Sequence, residues 1–181
     1  MSAQTHRSDP RILGRRTLER DFRVLADVLR PGLAVLDVGC GTGAITAGIA
    51  RAVSPCGRVV GVDRDAVLVD GARAQRGGVA GLEFVCGDVA SGPPYAAEFD
   101  VVASARTLQW IASPLDALKH MVQTAKPGGL VVVLDYSHSL NAWEPEPPSA
   151  FLRFYETFLA WREANGWDNR LGERLAESFR A

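Results

Sequence analysis

Five short runs constrain this chain more than anything else in it: "LAVLDV" at 33–38, "RVVGVD" at 58–63, "LEFVCG" at 82–87, "FDVVAS" at 99–104 and "LVVVLDY" at 130–136. Each is apolar nearly throughout rather than alternating. That is the pattern of strands covered on both faces, as in a parallel sheet. Helical patterns lie between them, at about 43–52, 65–77 and 114–125. The last of these ends at "KPGG", which reads as a helix stop followed by a turn into a strand. Upstream, Leu18, Phe22, Leu25 and Leu29 recur at the spacing of one helix face, ended by Pro31-Gly32. The alternation predicts an open, doubly wound α/β sheet of five parallel strands flanked by helices.

With 181 residues, 47% of them apolar, the chain can build one domain with a real core. A net charge of −1 gives no field that would attract nucleic acid or an anionic membrane. Cys40, Cys56 and Cys86 show no paired spacing, which points to free thiols in a reducing, cytoplasmic setting. The opening "MSAQTHRSDPRILGRR" lacks the apolar core of a signal peptide, and no run has the length of a membrane span. Histidine and cysteine spacing offers no metal site. After Tyr136 comes a proline-rich connection, "SHSLNAWEPEPPSA". Phe151, Phe154, Tyr155, Phe158 and Trp161 then recur at helical spacing, followed by Leu171, Leu175 and Phe179. This stretch reads as helices packed on the sheet, or as a lid over a flat or greasy ligand.

Directly after the first run, "VLDVGCGTGAIT" packs Gly39, Gly41 and Gly43 into five residues. One glycine would serve a tight strand-to-helix turn, so three argue for a ligand lying against bare backbone. The helix N-terminus there suits a carboxylate or phosphate. Gly39, Gly41 and Ala44 satisfy the dinucleotide pattern GxGxxG/A, which alone leaves an NAD(P)-dependent oxidoreductase open. Asp63 closes the second run, where a carboxylate can take ribose hydroxyls. Asp37 inside the first run and Asp88 after the third tip the balance away from a dinucleotide. A buried carboxylate needs partners, and a cationic ligand supplies one.

The stretches "VLDVGCGTG", "VVGVDRD", "FVCGDV", "FDVVASARTLQWI" and "KPGGLVVV" stand in one order and together cover about residues 20–136. In these the chain resembles the class I S-adenosylmethionine-dependent methyltransferases, especially small-molecule members of the ubiquinone/menaquinone-biosynthesis type. The resemblance implies a Rossmann-like core over 1–136 and a helical substrate or lid segment over 137–181. It implies S-adenosyl-L-methionine as cofactor, S-adenosyl-L-homocysteine as product and a small organic acceptor. Gly39, Cys40, Gly41, Thr42 and Gly43 would wrap the methionine part, supported by Asp37. Asp63 would hold the ribose, with Arg64 beside the adenine. Asp88 and the Val89 backbone would meet the adenine, and Ala105 with Arg106 would border the sulfonium.

Methyl transfer asks mainly for orientation and exclusion of water. The candidates beyond strands four and five are Arg106, Gln109, Trp110, Asp135, Tyr136 and His138. The near-neutral pKa of histidine singles out His138, although its plainer reading is a loop histidine on a connector. His6 and His120 read as surface residues. Cys40 reads as a small residue that fits the loop, with a thiol open to alkylation. Arg16, Arg20 and Arg23 form a stripe interrupted by Glu19 and Asp21, which reads as a solvated helix face. The stretch after the fourth strand lacks the "NPPY"-like motif of the family's amino-directed nucleic-acid and protein-glutamine enzymes. The family's sheet ends in an antiparallel hairpin, for which the sequence after the fifth strand leaves no room. The expectation is a truncated or short variant whose fifth strand is a bare edge, covered by the segment after 140 or by a second copy in a homodimer.

Overall fold

The computed structural model describes residues 9–92 and 95–180. His6 lies outside the described residues. The five expected strands form one parallel sheet: β1 (Ala34–Val38), β2 (Arg58–Asp63), β3 (Leu82–Cys86), β4 (Phe99–Ala105) and β5 (Ala125–Leu134). Their spatial order is β3-β2-β1-β4-β5. The order reverses beside β1, which pairs with β2 on one side and β4 on the other. In such sheets ligands bind outside the carboxyl ends of the strands at this reversal.

Both faces are covered, as unalternating strands require. One core layer joins Val35, Val59, Val101 and Ala103 to Leu18, Leu25 and Ile49. The other joins Leu36, Val38, Val60, Val62 and Val102 to Leu108, Ala117, Met121 and Leu171. Neighbouring positions along each strand feed opposite layers, which is the period-two geometry of a strand. The connecting helices are short pieces near the N-terminus, α1 (Pro10–Leu13), α2 (Leu18–Asp21) and α3 (Arg23–Val28), followed by α4 (Ala44–Val53), α5 (Ala66–Arg76) and α6 (Pro114–Thr124). Two more follow the sheet: α7 (Ser149–Ala164) and α8 (Leu171–Ser178). Among the described residues no helix is long and apolar enough to cross a membrane.

Two local expectations are corrected. The N-terminal apolar stripe is not one helix: Phe22 leaves the helical region at φ −148°, ψ 49° and separates α2 from α3. Leu18, Phe22, Leu25 and Leu29 are nevertheless all buried. The kink lays α2 on α4, where Leu18 comes so close to Gly48 that a Cβ there would sit 2.8 Å from the Leu18 Cβ. The "KPGG" stretch lies within the first part of β5 rather than in a turn before it. Phe99 pairs with Ala125 and Val101 with Leu130, so Lys126 to Gly129 bow out of the ladder. Lys126 is held there by Asp100 at 2.7 Å, whose other oxygen accepts from the Ala34 N–H. The C-terminal segment meets the exit of β5. Gly172 N–H donates to the Tyr136 carbonyl, and Glu173 accepts from the hydroxyls of Ser137 and Ser139. Leu130 on β5 stays 48% exposed.

Burial of the N-terminal stripe gives a contrast to measure. Leu25 is 0% exposed and Val24 beside it is 64% exposed. Leu25→Ala is expected to cost about 2–5 kcal/mol, from lost transfer energy and a residual cavity. Val24→Ala is expected to stay within about 0.5 kcal/mol. Urea unfolding of the two variants checks this, and equal losses would contradict the packing of α3 against the sheet.

Candidate functional site

The ends of β1, β2 and β4 and the loop after β3 open on a cleft of about 370 Å³. Its floor is the turn between β1 and α4. Gly39, Gly41 and Gly43 all have positive φ, at 78°, 53° and 71°, where a side chain is strained. The fold itself supplies a reason for the glycines. A Cβ on Gly39 would fall on the Thr107 side chain, one on Gly43 would lie 2.5 Å from the Phe84 ring, and one on Gly41 would lie 3.1 Å from Leu13. The protein itself crowds all three. Gly43 does not line the cleft, whereas Gly39, Cys40, Gly41 and Thr42 do.

The N–H groups of the turn are also spoken for. Gly39 and Cys40 both donate to the Val62 carbonyl, and Gly41 donates to Asp63 Oδ2 at 2.8 Å. Asp63 Oδ1 accepts from the Asp65 N–H. The N–H groups of residues 39–41 are therefore bonded within the protein, which weighs against a pyrophosphate lying on them.

Carboxylates dominate this end of the cleft. Asp37, Asp63 and Asp88 line it, as expected, with Arg64, Val89, Ala105, Arg106, Gln109 and His138. Asp37 is buried and takes the Thr46 hydroxyl at 2.6 Å. Burial pushes its pKa up to about 6, the Thr46 bond pulls it down and the charge of Asp63 raises it further. A carboxylate so placed gains from a cationic ligand. Asp88 caps a short turn by accepting from the Ala90 N–H, and it keeps its place on the wall. The expectation that Cys40 is open to alkylation is corrected: burial, with Asp37 and Asp63 nearby, raises its thiol pKa well above the usual value.

Beyond β4 the wall changes character. Arg106 sits at φ 59°, its N–H bonded to the Leu134 carbonyl. Its Nε donates to the Tyr136 hydroxyl at 2.8 Å, and its guanidinium carbon stands 5.5 Å from that ring's centre. Gln109 is 2% exposed and central. Its N–H donates to Asp135, its side-chain amide to the Arg106 carbonyl, and its Oε1 meets His138 Nε2 at 2.6 Å. His138 Nδ1 faces the Tyr155 hydroxyl at 3.1 Å. Burial, and then the charge of Arg162, lower the His138 pKa to about 4. The ring is therefore neutral at physiological pH with both nitrogens engaged. It pins the connector to α7 and also lines the cleft. Asp135 does not line the cleft; burial raises its pKa to about 6, against bonds from the Gln109, Tyr136 and Leu108 N–H groups.

Sequence reasoning missed the N-terminal contribution. Asp9, Ile12, Leu13 and Arg16 line the cleft. Arg16 lies outside any helix and is half-buried, which corrects its reading as part of a solvated helix face. A stripe read at helical spacing carries no signal for a residue in the link before α2. Buried Arg162 was also missed. Its guanidinium lies 4.5 Å from the Trp110 ring centre and bonds Asn169 and the Gln109 carbonyl. It had the look of an ordinary surface position near a helix end.

Known proteins match this chain in sequence and in fold. The family described as "Methyltransferase domain" matches residues 36–133, and the chain belongs to that family. Its architecture is that of the class I S-adenosylmethionine-dependent methyltransferases. A 37.1 kDa protein of transposon Tn4556 from Streptomyces fradiae is 37% identical over 112 residues, 61% of this chain and 32% of that one. Demethylmenaquinone methyltransferase of Staphylococcus aureus is 35% identical over 116 residues, 64% of this chain and 48% of that one. The chain thus spans between a third and a half of the length of these curated relatives. Among solved structures, a SAM-dependent methyltransferase from Aquifex aeolicus superposes with a TM-score of 0.64. It covers 88% of this chain and 89% of its own at 22% identity, a likeness of fold.

Two measurements test the electrostatics of this site. The folded chain holds a proton on Asp37 up to about pH 6, whereas an unfolded aspartate releases it near pH 4. Ionising Asp37 therefore costs stability as pH rises through that interval, and full cost is reached above it. His138 works the opposite way, binding its proton less tightly when folded. The wild-type profile mixes the two, but the difference in Tm between Asp37→Asn and wild type isolates Asp37. It is expected to grow in favour of the variant from pH 4 to about 7 and then level off; a difference that does not change with pH contradicts the assignment. Separately, titration with a thiol reagent near neutral pH is expected to modify exposed Cys56 and Cys86 quickly and Cys40 slowly.

Proposed function

We propose that this chain binds S-adenosyl-L-methionine in the cleft and supports methyl transfer to a small organic molecule. The observation that carries the reading is the acidic wall of Asp37, Asp63 and Asp88 over a glycine turn whose N–H groups at 39–41 are already bonded. Such a wall suits a cationic nucleoside. It does not suit a pyrophosphate, which weighs against NAD(P).

The cofactor supplies a methyl group already activated on a sulfonium. In this reading Gly39, Cys40, Gly41 and Thr42 offer backbone to its methionine part, and Asp37 faces its positive charge. Gly43 serves by letting Phe84 pack behind the turn. Asp63 keeps its bond to Gly41 and has lone pairs left for ribose hydroxyls, with Arg64 alongside. Asp88 and the Val89 backbone take the adenine. Ala105 and Arg106 border the reacting end, and Gln109 with neutral His138 shapes the acceptor side without acting as a base at physiological pH. Residues 1–136 form the cofactor-binding part and 137–181 the helical part that closes the acceptor side. Three free thiols support a reducing, cytoplasmic setting, and the net charge of −1 argues against a nucleic-acid substrate. The exposed Leu130 on edge strand β5 supports pairing with a second copy.

Calorimetric titration with S-adenosyl-L-homocysteine, with NAD in parallel, tests the reading. Micromolar binding of the former and none of the latter is expected. Binding of NAD alone, or of neither by a chain that melts cooperatively, would overturn it.

A further inference from the structure

Arg16 and Arg106 both line the cleft, from opposite ends of the chain. Among the described residues neither makes an ion pair. They nevertheless stand close enough that Arg106, after burial, is the next cause lowering the pKa of Arg16. The nearest acid felt by both is Asp21, and its carboxylate is engaged by the Thr17 N–H and by Arg20. Arg106 Nη1 is buried and has no hydrogen-bond partner. Its backbone holds a left-handed conformation that side-chain-bearing residues rarely adopt. Two adjacent, half-buried guanidiniums with donors to spare are costly unless an anion completes them.

The cleft's own charges sort its contents. Asp37, Asp63 and Asp65 gather around the glycine turn, and Asp9 on the N-terminal segment is paired with Arg11. Of the three arginines on the wall, Arg64 is exposed beside Asp63, and the other two share the end bounded by Tyr136. Trp110, Tyr136 and His138 line this same end with ring surface. A planar ligand fits there. The groups able to deprotonate it are already committed: both His138 nitrogens are bonded, and both Asp135 oxygens accept backbone N–H groups. An acceptor that arrives as its anion has no proton to lose before transfer.

We propose that Arg16 and Arg106 together bind an anionic oxygen of the methyl acceptor, a phenolate, enolate or carboxylate carried on a planar ring. The proposal rests on the methyl-transfer reading and names its substrate class. The arginines neutralise the acceptor's charge and turn it toward the acidic end of the cleft, Arg106 presenting its Nη groups while its Nε stays on the Tyr136 hydroxyl.

The test uses the whole 181-residue chain and two probes of one shape, benzoate and benzamide, titrated with and without saturating S-adenosyl-L-homocysteine. Wild type is expected to prefer benzoate. Arg16→Gln and Arg106→Gln are each expected to weaken benzoate about ten-fold and to leave benzamide unchanged, with Arg106→Lys intermediate because it keeps charge and loses the fork. A cooperative melt like that of wild type reports an intact fold in each variant, and affinity for S-adenosyl-L-homocysteine is expected to hold within about three-fold in Arg16→Gln. No preference for benzoate, or a preference that survives both substitutions, overturns the proposal. So does a loss confined to S-adenosyl-L-homocysteine, since the arginines would then hold the cofactor's own carboxylate. The titrations without S-adenosyl-L-homocysteine keep this result separate from any failure of the cofactor reading.

Discussion

The cleft is built against the exit of β2. Its last residues fix the turn after β1 from behind: the Val62 carbonyl takes the N–H groups of Gly39 and Cys40, and the Asp63 carboxylate takes that of Gly41. Thr107 from beyond β4 and Phe84 from β3 fill the spaces that side chains on Gly39 and Gly43 would occupy. Three different segments thus close on one turn of backbone. These bonds and contacts fix the floor, and the wall residues are positioned relative to it. A carboxylate such as Asp63 that braces a turn and also faces a ligand couples the two: its bond to Gly41 fixes where its remaining lone pairs point.

Charge is segregated along the cleft in a way that net charge conceals. Near the turn, Asp37 is held so far from water that it keeps a proton to about pH 6. At the other end two arginines approach each other, and the acid felt by both, Asp21, is engaged by Arg20 and the Thr17 N–H. Each arrangement costs stability in the empty protein, and a ligand of opposite charge recovers that cost. Sites with such opposed local excesses favour zwitterionic or doubly charged contents over neutral ones, because both ends are satisfied at once.

The sheet was legible because its signal is local. Runs such as Val59 to Val62 are apolar on successive residues, and only strands buried on both faces tolerate that. The turn was legible as a turn, and Asp37, Asp63 and Asp88 follow from their positions at strand ends. What was not legible depends on partners far away in sequence. Gly43 is a glycine because of Phe84, and Gly48 because of Leu18; neither neighbour is marked as such by periodicity. The break at Phe22 has no proline or glycine to announce it. Arg16 read as solvated because its neighbours alternate in charge, while its real surroundings come from Arg106 and Tyr136. Arg162 has no local feature that distinguishes it from Arg153 on the same helix.

That buried arginine has a mechanical consequence. Arg162 is fully enclosed, with its guanidinium among the rings of Trp110, Phe158 and Trp167 and its bonds running to Asn169 and the Gln109 carbonyl. Swinging α7 outward by itself would tear a positive ion from its aromatic cage and leave the carbonyl beneath it bare. The helix and the stretch around Gln109 are therefore bolted into one moving part.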